Sequence, residues 1–121
     1  MPIKKVLIVD DSPTERYFLT ELLTKNGFSV SAAESAEEAA LKLKSATPDL
    51  ILLDVVMPGQ NGFQFTRALS KDPATQAIPV IICTSKSQQT DRIWALRQGA
   101  RDYVSKPVKP DELLEKIAAL G

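Results

Sequence analysis

Five polar residues of the sequence follow directly after short apolar runs, at the points where buried strands would end. They are Asp10 and Asp11, then Asp54, then Thr84 and finally Lys106. The carboxyl ends of parallel strands meet at one edge of a sheet, and ligands bind beyond that edge. The sequence therefore predicts a cluster of three carboxylates, a hydroxyl and an ammonium group. Each residue alone has an ordinary explanation as a turn former, a helix cap or a solvated loop residue, so the prediction depends on all five together.

The charge of this predicted cluster indicates a bound metal ion. Three neighbouring carboxylates repel one another unless a cation shares the site. Lys106 supplies one positive charge and a divalent ion would supply two more, which balances the three negative charges. Carboxylate oxygens are hard ligands and the sequence contains no histidine, so we expect Mg²⁺.

The predicted cluster also contains a nucleophile. A carboxylate held against Mg²⁺ can attack a phosphoryl group and form an acyl phosphate. Asp54 is the best candidate, because it ends the central strand of the predicted sheet. Asp10 and Asp11 would then hold the metal, while Thr84 and Lys106 would help to neutralise the transferred oxygens.

The elements that would position these residues alternate in kind along the chain. Short apolar runs indicate strands that are buried on both faces of a parallel sheet. They lie at Val6–Val9, Leu50–Leu53 and Val80–Cys83, and weaker ones lie at Phe28–Ala32 and Asp102–Ser105. Their alternation with helical segments predicts an α/β fold: a single doubly wound (βα)5 domain over residues 1–121, with a five-stranded parallel sheet.

Five segments of helical periodicity separate and follow these strands. Two begin with capping boxes, at Ser12–Glu15 and Ser35–Glu38, and the others are expected at about 62–71, at about 90–98 and from about 110 onward. The side chains expected to face the core are Phe18, Leu19, Leu22 and Leu23; Ala39, Ala40 and Leu43; Phe63, Phe65 and Leu69; Ile93 and Leu96; and Leu113, Leu114, Ile117 and Leu120. Trp94 could flank the core or face a partner.

Composition excludes several classes of protein. The chain has 121 residues, 44% of them hydrophobic and 25% charged, which is ordinary for one globular domain. No apolar run is long enough for a membrane span or a signal peptide. The net charge is zero, so no global electrostatic attraction to nucleic acid or anionic membrane is expected. A single cysteine forms no internal disulfide, which fits the cytoplasm.

Four stretches of the sequence resemble the signature motifs of response-regulator receiver domains, in the same order and over nearly the whole chain. They are VLIVDDSP, LILLDVVMPGQNG, PVIICTS and DYVSKP. The resemblance implies the flavodoxin-like strand order 2-1-3-4-5 and a Mg²⁺ cofactor. It further implies that Asp54 is the phospho-acceptor and that Asp10 and Asp11 form an acidic pocket. In that pocket Asp11 would bind the metal beside Asp54 and the backbone carbonyl of Val56.

The same resemblance assigns roles to residues outside the acidic pocket. Thr84 would hydrogen-bond the phosphoryl group, Lys106 would contact a phosphoryl oxygen, and Tyr103 would be the aromatic switch residue. The Lys106–Pro107 peptide would be cis. Val56 and Lys86 occupy the two positions that tune the lifetime of the phosphoryl group, and we expect slow self-dephosphorylation because neither can act as a general base for water.

Receiver domains are signalling switches rather than turnover enzymes, and the resemblance implies their partners. A sensor histidine kinase or its phosphotransfer domain would donate the phosphoryl group, and a downstream protein would bind the face formed by the fourth helix, fifth strand and fifth helix. A finer resemblance is to twitching-motility regulators of type IV pilus chemosensory systems. It rests on VDDSPTE, VMPGQNGFQ, AIPVIICTSK and TDRIWALRQGARDYVSKPV.

Several alternatives stay open at this point. The protein could be an output messenger or a phosphate sink that drains a shared kinase, and Gly121 could be a cut within a longer regulator. A small Asp-nucleophile phosphatase is a remote alternative, because Asp10 and Asp11 are adjacent rather than separated by one residue. The intact set of five polar residues argues against a receiver that has lost phosphorylation.

Overall fold

Five parallel strands alternate with five helices in the computed structural model, which describes residues 3–55, 62–85 and 89–120. The strands are β1 (Lys5–Val9), β2 (Ser29–Ala33), β3 (Leu50–Leu53), β4 (Val80–Thr84) and β5 (Asp102–Ser105). The helices are α1 (Pro13–Lys25), α2 (Ala36–Ser45), α3 (Gly62–Lys71), α4 (Gln89–Arg97) and α5 (Pro110–Leu120). The sheet order is β2-β1-β3-β4-β5, so the predicted doubly wound fold is confirmed.

The central strands are apolar throughout because both faces of the sheet are covered. Every residue of β3 and β4 is buried, as expected for strands in the middle of a parallel sheet. Alternate residues enter two separate core clusters: Leu7 and Ile51 contribute to one, and Ile8 and Leu52 to the other. Both faces of the sheet are therefore covered by packed apolar side chains.

The helix starts agree with the sequence pattern more closely than the helix faces do. Ser12 and Ser35 are N-caps whose hydroxyls accept hydrogen bonds from the third residue of each helix. The predicted stripe on α1 is too wide, because Leu19 and Leu23 are buried whereas Phe18 is exposed. On α2 the prediction for Ala40 is wrong. Ala36 and Ala39 form the buried face there, one turn apart, and Ala40 lies outside it.

Helix α4 departs most clearly from expectation. Ile93 and Leu96 were expected to face the core, but their side chains are 43% and 40% exposed. Ala95 is instead the fully buried residue of this helix. A helix that packs through an alanine lies close to the sheet, and its larger apolar side chains are then turned toward solvent. Within the described residues, no helix has the length and apolar character needed to cross a bilayer.

Candidate functional site

The register of β1 against β3 brings two aspartates side by side at the carboxyl edge of the sheet. Val9 pairs with Leu53, so the next residues, Asp10 and Asp54, leave the sheet together. The Asp54 N–H donates to the Val9 carbonyl at 2.9 Å, which extends the ladder into the site. Their positions are therefore set by backbone pairing rather than by loop conformation.

Asp10, Asp11 and Asp54 form the acidic cluster that the strand ends predicted. Carboxylate oxygens of all three lie within 4.8 Å of one another. Asp10 is 2% exposed and Asp54 is 8% exposed, whereas Asp11 faces solvent. A small ion could therefore reach the buried carboxylates of Asp10 and Asp54 from the solvent side, where Asp11 lies.

Lys106 supplies the positive charge inside this cluster. Its Nζ donates to Asp10 Oδ2 at 2.7 Å and to Asp54 Oδ2 at 3.1 Å. Burial alone would lower the pKa of Lys106, but the hydrogen bond and charge of Asp10, together with the charge of Asp54, raise it above its ordinary value. The Lys106 N–H donates to the Thr84 carbonyl, and the Lys106–Pro107 peptide is cis. The ammonium group is thus charged and anchored at the end of β5.

The first turn of α1 fixes the orientation of Asp10. The Ser12 N–H donates to Asp10 Oδ1 at 2.9 Å, and Arg16 Nη1 donates to the Asp10 backbone carbonyl at 2.6 Å. The sequence pattern did not predict a role for Arg16. An arginine in the first turn of a helix does not by itself indicate a site residue, because what its side chain contacts depends on how the helix is rotated over the sheet.

Gly62 is a second residue that the sequence reading did not assign to the site. A Cβ at this position would lie 2.4 Å from the Val55 Cα and 2.5 Å from the Asp54 carbonyl oxygen. The Gly62 N–H also donates to the Val55 carbonyl at 3.0 Å. Only glycine permits this approach, so the start of α3 packs directly against the backbone that carries Asp54.

Two further predicted residues, Thr84 and Tyr103, lie at or below the same edge. Thr84 ends β4 and is fully buried, and Tyr103 on β5 is buried in the core cluster that contains Ala95 of α4. The Tyr103 ring therefore lies in the interior, in the same core cluster as the buried face of α4. Val56 and Lys86 lie outside the described residues.

The donor set of the acidic cluster fits Mg²⁺. Three carboxylates meet one ammonium group, which leaves an excess of two negative charges, and all the candidate ligand atoms are oxygens. Cys83 does not join the set. Burial raises the pKa of its thiol to about 12, so the sulfur stays protonated and behaves as a small apolar side chain.

An exposed apolar surface lies on α4. Ile93, Trp94 and Leu96 project into solvent there. Asp102 on β5 ties the neighbouring elements together, because its Oδ1 lies 3.0 Å from Lys116 Nζ on α5 and 3.9 Å from Arg92 Nη2 on α4.

Comparison with known proteins agrees with this geometry. A family model described as the response regulator receiver domain matches residues 6–118. The chain belongs to the response regulator receiver family. As a receiver domain it falls within two-component signalling.

Individual relatives of this receiver domain differ in length. Protein PilH of Pseudomonas aeruginosa is 53% identical over 116 residues, which are 96% of each chain. The phosphate regulon regulator PhoB of Escherichia coli is 38% identical over 97% of this chain, but the chain spans only 51% of PhoB. The solved chemotaxis protein CheY4 of Vibrio cholerae superimposes with a TM-score of 0.91 at 29% identity, covering 98% of this chain and 99% of CheY4.

Proposed function

We propose that this receiver domain is a signalling switch that accepts a phosphoryl group on Asp54 in the presence of Mg²⁺. The observation that carries the proposal is the Lys106 ammonium group shared by Asp10 and Asp54 within the three-carboxylate cluster. The ammonium group of Lys106 already contacts the Asp54 carboxylate, so it is in place to stabilise the negative charge of the transferred phosphoryl oxygens. Residues 1–121 act in this proposal as one receiver domain.

The proposed step is a single displacement at phosphorus. A carboxylate oxygen of Asp54 attacks the phosphoryl group of a phosphohistidine, the new P–O bond forms as the P–N bond breaks, and the imidazole leaves with that electron pair. Lys106 and the Thr84 hydroxyl meet the negative charge on the transferred oxygens. Asp10, Asp11, Asp54 and, as the resemblance implies, the Val56 carbonyl would hold Mg²⁺, which would supply further positive charge to those oxygens. We expect Val56 and Lys86 to make the acyl phosphate long-lived.

The proposed partners follow from the chemistry and from the surface. The chain has no histidine and cannot carry the donor phosphohistidine itself, so that phosphohistidine would belong to another protein, a sensor histidine kinase or its phosphotransfer domain. The exposed apolar side chains of α4 and the Asp102 ion pairs with α4 and α5 support an output contact at the α4, β5 and α5 face. The identity to PilH supports a place in pilus-linked motility signalling. The single cysteine, which forms no internal disulfide, fits a cytoplasmic location. A phosphotransfer time course with the kinase and a second receiver separates a messenger from a phosphate sink.

Incubation with phosphoramidate and Mg²⁺, followed by intact mass spectrometry, tests the proposed acceptor. The wild-type protein gains one phosphoryl group, Asp54→Asn gains none, and Asp111→Asn on the exposed start of α5 behaves as the wild type. Chelation of Mg²⁺ before the donor is added prevents the gain. Labelling of Asp54→Asn at the wild-type rate would overturn the proposal.

A further inference from the structure

A cavity of about 390 Å³ lies between the first residues of β1 and β2 and the last turn of α2. It is at the end of the sheet opposite the acidic cluster, because Lys5 begins β1 whereas Asp10 follows its last residue. A strand rises about 3.3 Å per residue, so the five steps from Lys5 to Asp10 span roughly 16 Å. Sites for small molecules have volumes from about 300 Å³ upward, so this cavity has room for one.

Two serines of β2 leave this space open. The register of β1 and β2 pairs Lys5 with Ser29 and Leu7 with Ser31. Leu7 and Ala33 belong to the core cluster on the α2 side of the sheet, and side chains alternate along a strand. Ser29 and Ser31 therefore face α2 as well. Their small side chains do not fill the space under the last turn of this helix, where larger apolar side chains would.

The lining of the cavity is rich in hydrogen-bond donors. It carries four hydroxyl and two ammonium groups, which belong to Ser29, Ser31, Ser45, Thr47, Lys5 and Lys42. Each of these side chains can donate, and the lysines also bring positive charge. No aspartate or glutamate of the described part of the chain is among the lining residues. Such a lining complements an anion that offers several acceptor oxygens.

Lys42 holds its ammonium group at the open side of the cavity. Its Nζ donates to the backbone carbonyl of Ala32 on β2, which is the outer strand of the sheet. An ammonium group has three N–H donors, and this bond uses one of them. Glu38 Oε1 lies 3.8 Å from the same Nζ, which is longer than a hydrogen bond, and both side chains are well exposed. Lys42 therefore keeps donors for a ligand.

Two acidic side chains lie near the cavity, and each already has a local partner. Glu38 faces Lys42 at the surface. Asp49 Oδ2 accepts the backbone N–H groups of Lys4 and Lys5, both at 2.9 Å. Neither acid lines the cavity, and the three lysines outnumber them. The charge at this end of the sheet is therefore positive, although the chain as a whole is neutral.

We propose that this cavity binds a small organic phosphate of about the size of a mononucleotide. A phosphate group has three strong acceptor oxygens, which suits the lysine and hydroxyl donors better than the two oxygens of a carboxylate. The ring of the ligand covers the apolar part of the lining, to which Leu7, Ala46 and Pro48 contribute. This binding site goes beyond the phosphorylation of Asp54 and does not depend on it.

An NMR titration of the wild-type amide signals with AMP, GMP and CMP, in buffer without Mg²⁺, tests the proposal. At least one nucleotide produces saturable shifts at residues 5–7, 29–31 and 45–47, which line the cavity, and leaves the signals of Asp10 and Asp54 in place. Adenosine and inorganic phosphate are titrated separately. Each has only one half of the proposed chemistry, so both bind more weakly than the nucleotide.

Two variants and one control connect the shifts to the cavity. Lys42→Gln removes one charged donor and weakens nucleotide binding about tenfold. Ser31→Leu fills the floor and abolishes binding. Lys44→Gln makes the same charge change at an exposed lysine of the last turn of α2 that does not line the cavity, so it retains wild-type affinity. Thermal melts check that each variant is folded. Lys42 is exposed, so its variant keeps the test valid even if Ser31→Leu unfolds.

Four results would overturn the proposal. They are the absence of saturable shifts with all three nucleotides, shifts at Asp10 and Asp54 instead of the cavity, equal weakening by Lys42→Gln and Lys44→Gln, and inorganic phosphate or adenosine that binds as tightly as the nucleotide. The first three would show that the cavity is not a specific nucleotide site. The last would show that only one half of the ligand is recognised. None of them bears on Asp54, whose phosphorylation is measured separately by phosphoramidate labelling.

Discussion

Lys106 stabilises two carboxylates that are almost completely removed from water. Its hydrogen bonds to Asp10 and Asp54 are charge-assisted, and its loss leaves two buried like charges facing each other. We expect Lys106→Ala to lower the free energy of unfolding by about 3 kcal/mol in metal-free buffer. Mg²⁺ restores part of that loss, because it supplies the missing positive charge. Urea unfolding with and without Mg²⁺ measures both effects.

Lys109→Ala is the matched control for this prediction, because Lys109 is exposed and lies only three residues away. We expect it to change stability little and to show no special dependence on Mg²⁺. Equal losses in the two variants, with and without the ion, would show that the ammonium group at position 106 does not hold the carboxylates.

The residues of the site divide into those that chain position predicts and those that packing determines. Asp10, Asp54 and Lys106 follow buried strands, so a parallel sheet necessarily delivers them to one edge. Arg16 and Gly62 depend on how closely α1 and α3 approach that edge. Periodicity along one chain carries no information about such distances, and those two contacts were therefore not predicted.

At the scale of elements, α4 shows that an apolar pattern alone does not determine which face of a helix is buried. Residues 93–96 are all apolar, so several rotations of the helix bring a hydrophobic residue to the core. The observed rotation buries Ala95, in the same core cluster as Tyr103 and Ala100. The choice depends on the space that β5 leaves beneath the helix, which is a property of the packed structure.

Trp94 tests this rotation of α4 directly. Its side chain is 50% exposed, so we expect an emission spectrum typical of a solvated indole and strong quenching by iodide. Addition of Mg²⁺ leaves the emission unchanged, because Trp94 has no part in the acidic cluster. Binding of an output partner on α4 protects it from iodide. A blue-shifted, unquenched emission in the free protein would contradict the observed rotation.

Hydrogen bonds from the start of β1 to Asp49 also connect that strand to the segment that follows α2. Asp49 Oδ2 accepts hydrogen bonds from the N–H groups of Lys5 and Lys4, both at 2.9 Å, and these bonds hold the pKa of Asp49 below its ordinary value. A lowered carboxyl pKa contributes stability above the ordinary value of about 3.9, and that contribution is lost as the pH falls through the lowered pKa.

Asp49→Asn should therefore be less stable than the wild type at neutral pH. We expect the difference to persist down to about pH 4 and to narrow at lower pH, where the wild-type carboxyl also becomes neutral. Urea unfolding across this range gives the difference at each pH, with Glu21→Gln as a control for net charge. A difference that is the same at neutral and at acidic pH would show that the charge of Asp49 is not its cause.

At the scale of the whole molecule, alternation of strand and helix was enough to predict the architecture. Each predicted strand agrees with the observed one to within one residue at either end. The three apolar runs of four residues have few other interpretations between helix signals, and the two weaker strands are set by the alternation around them. The two core layers then fix all the strand ends at one edge. Helix rotation, in contrast, depends on side-chain size across the layers, which explains why Phe18, Ala40, Ile93 and Leu96 were misplaced.

Because the acidic cluster joins the ends of β1 and β3, metal binding should stabilise the entire fold. A ligand that binds only the native state raises the free energy of unfolding by about 2.7 kcal/mol at a hundredfold excess over its dissociation constant. We expect Mg²⁺ to raise the thermal midpoint of the wild type and to have little effect on Asp11→Asn. Asp11 is exposed, so its replacement leaves the metal-free fold intact and removes a ligand. Asp111→Asn keeps the full Mg²⁺ response; an equal response in Asp11→Asn would show that the ion binds elsewhere.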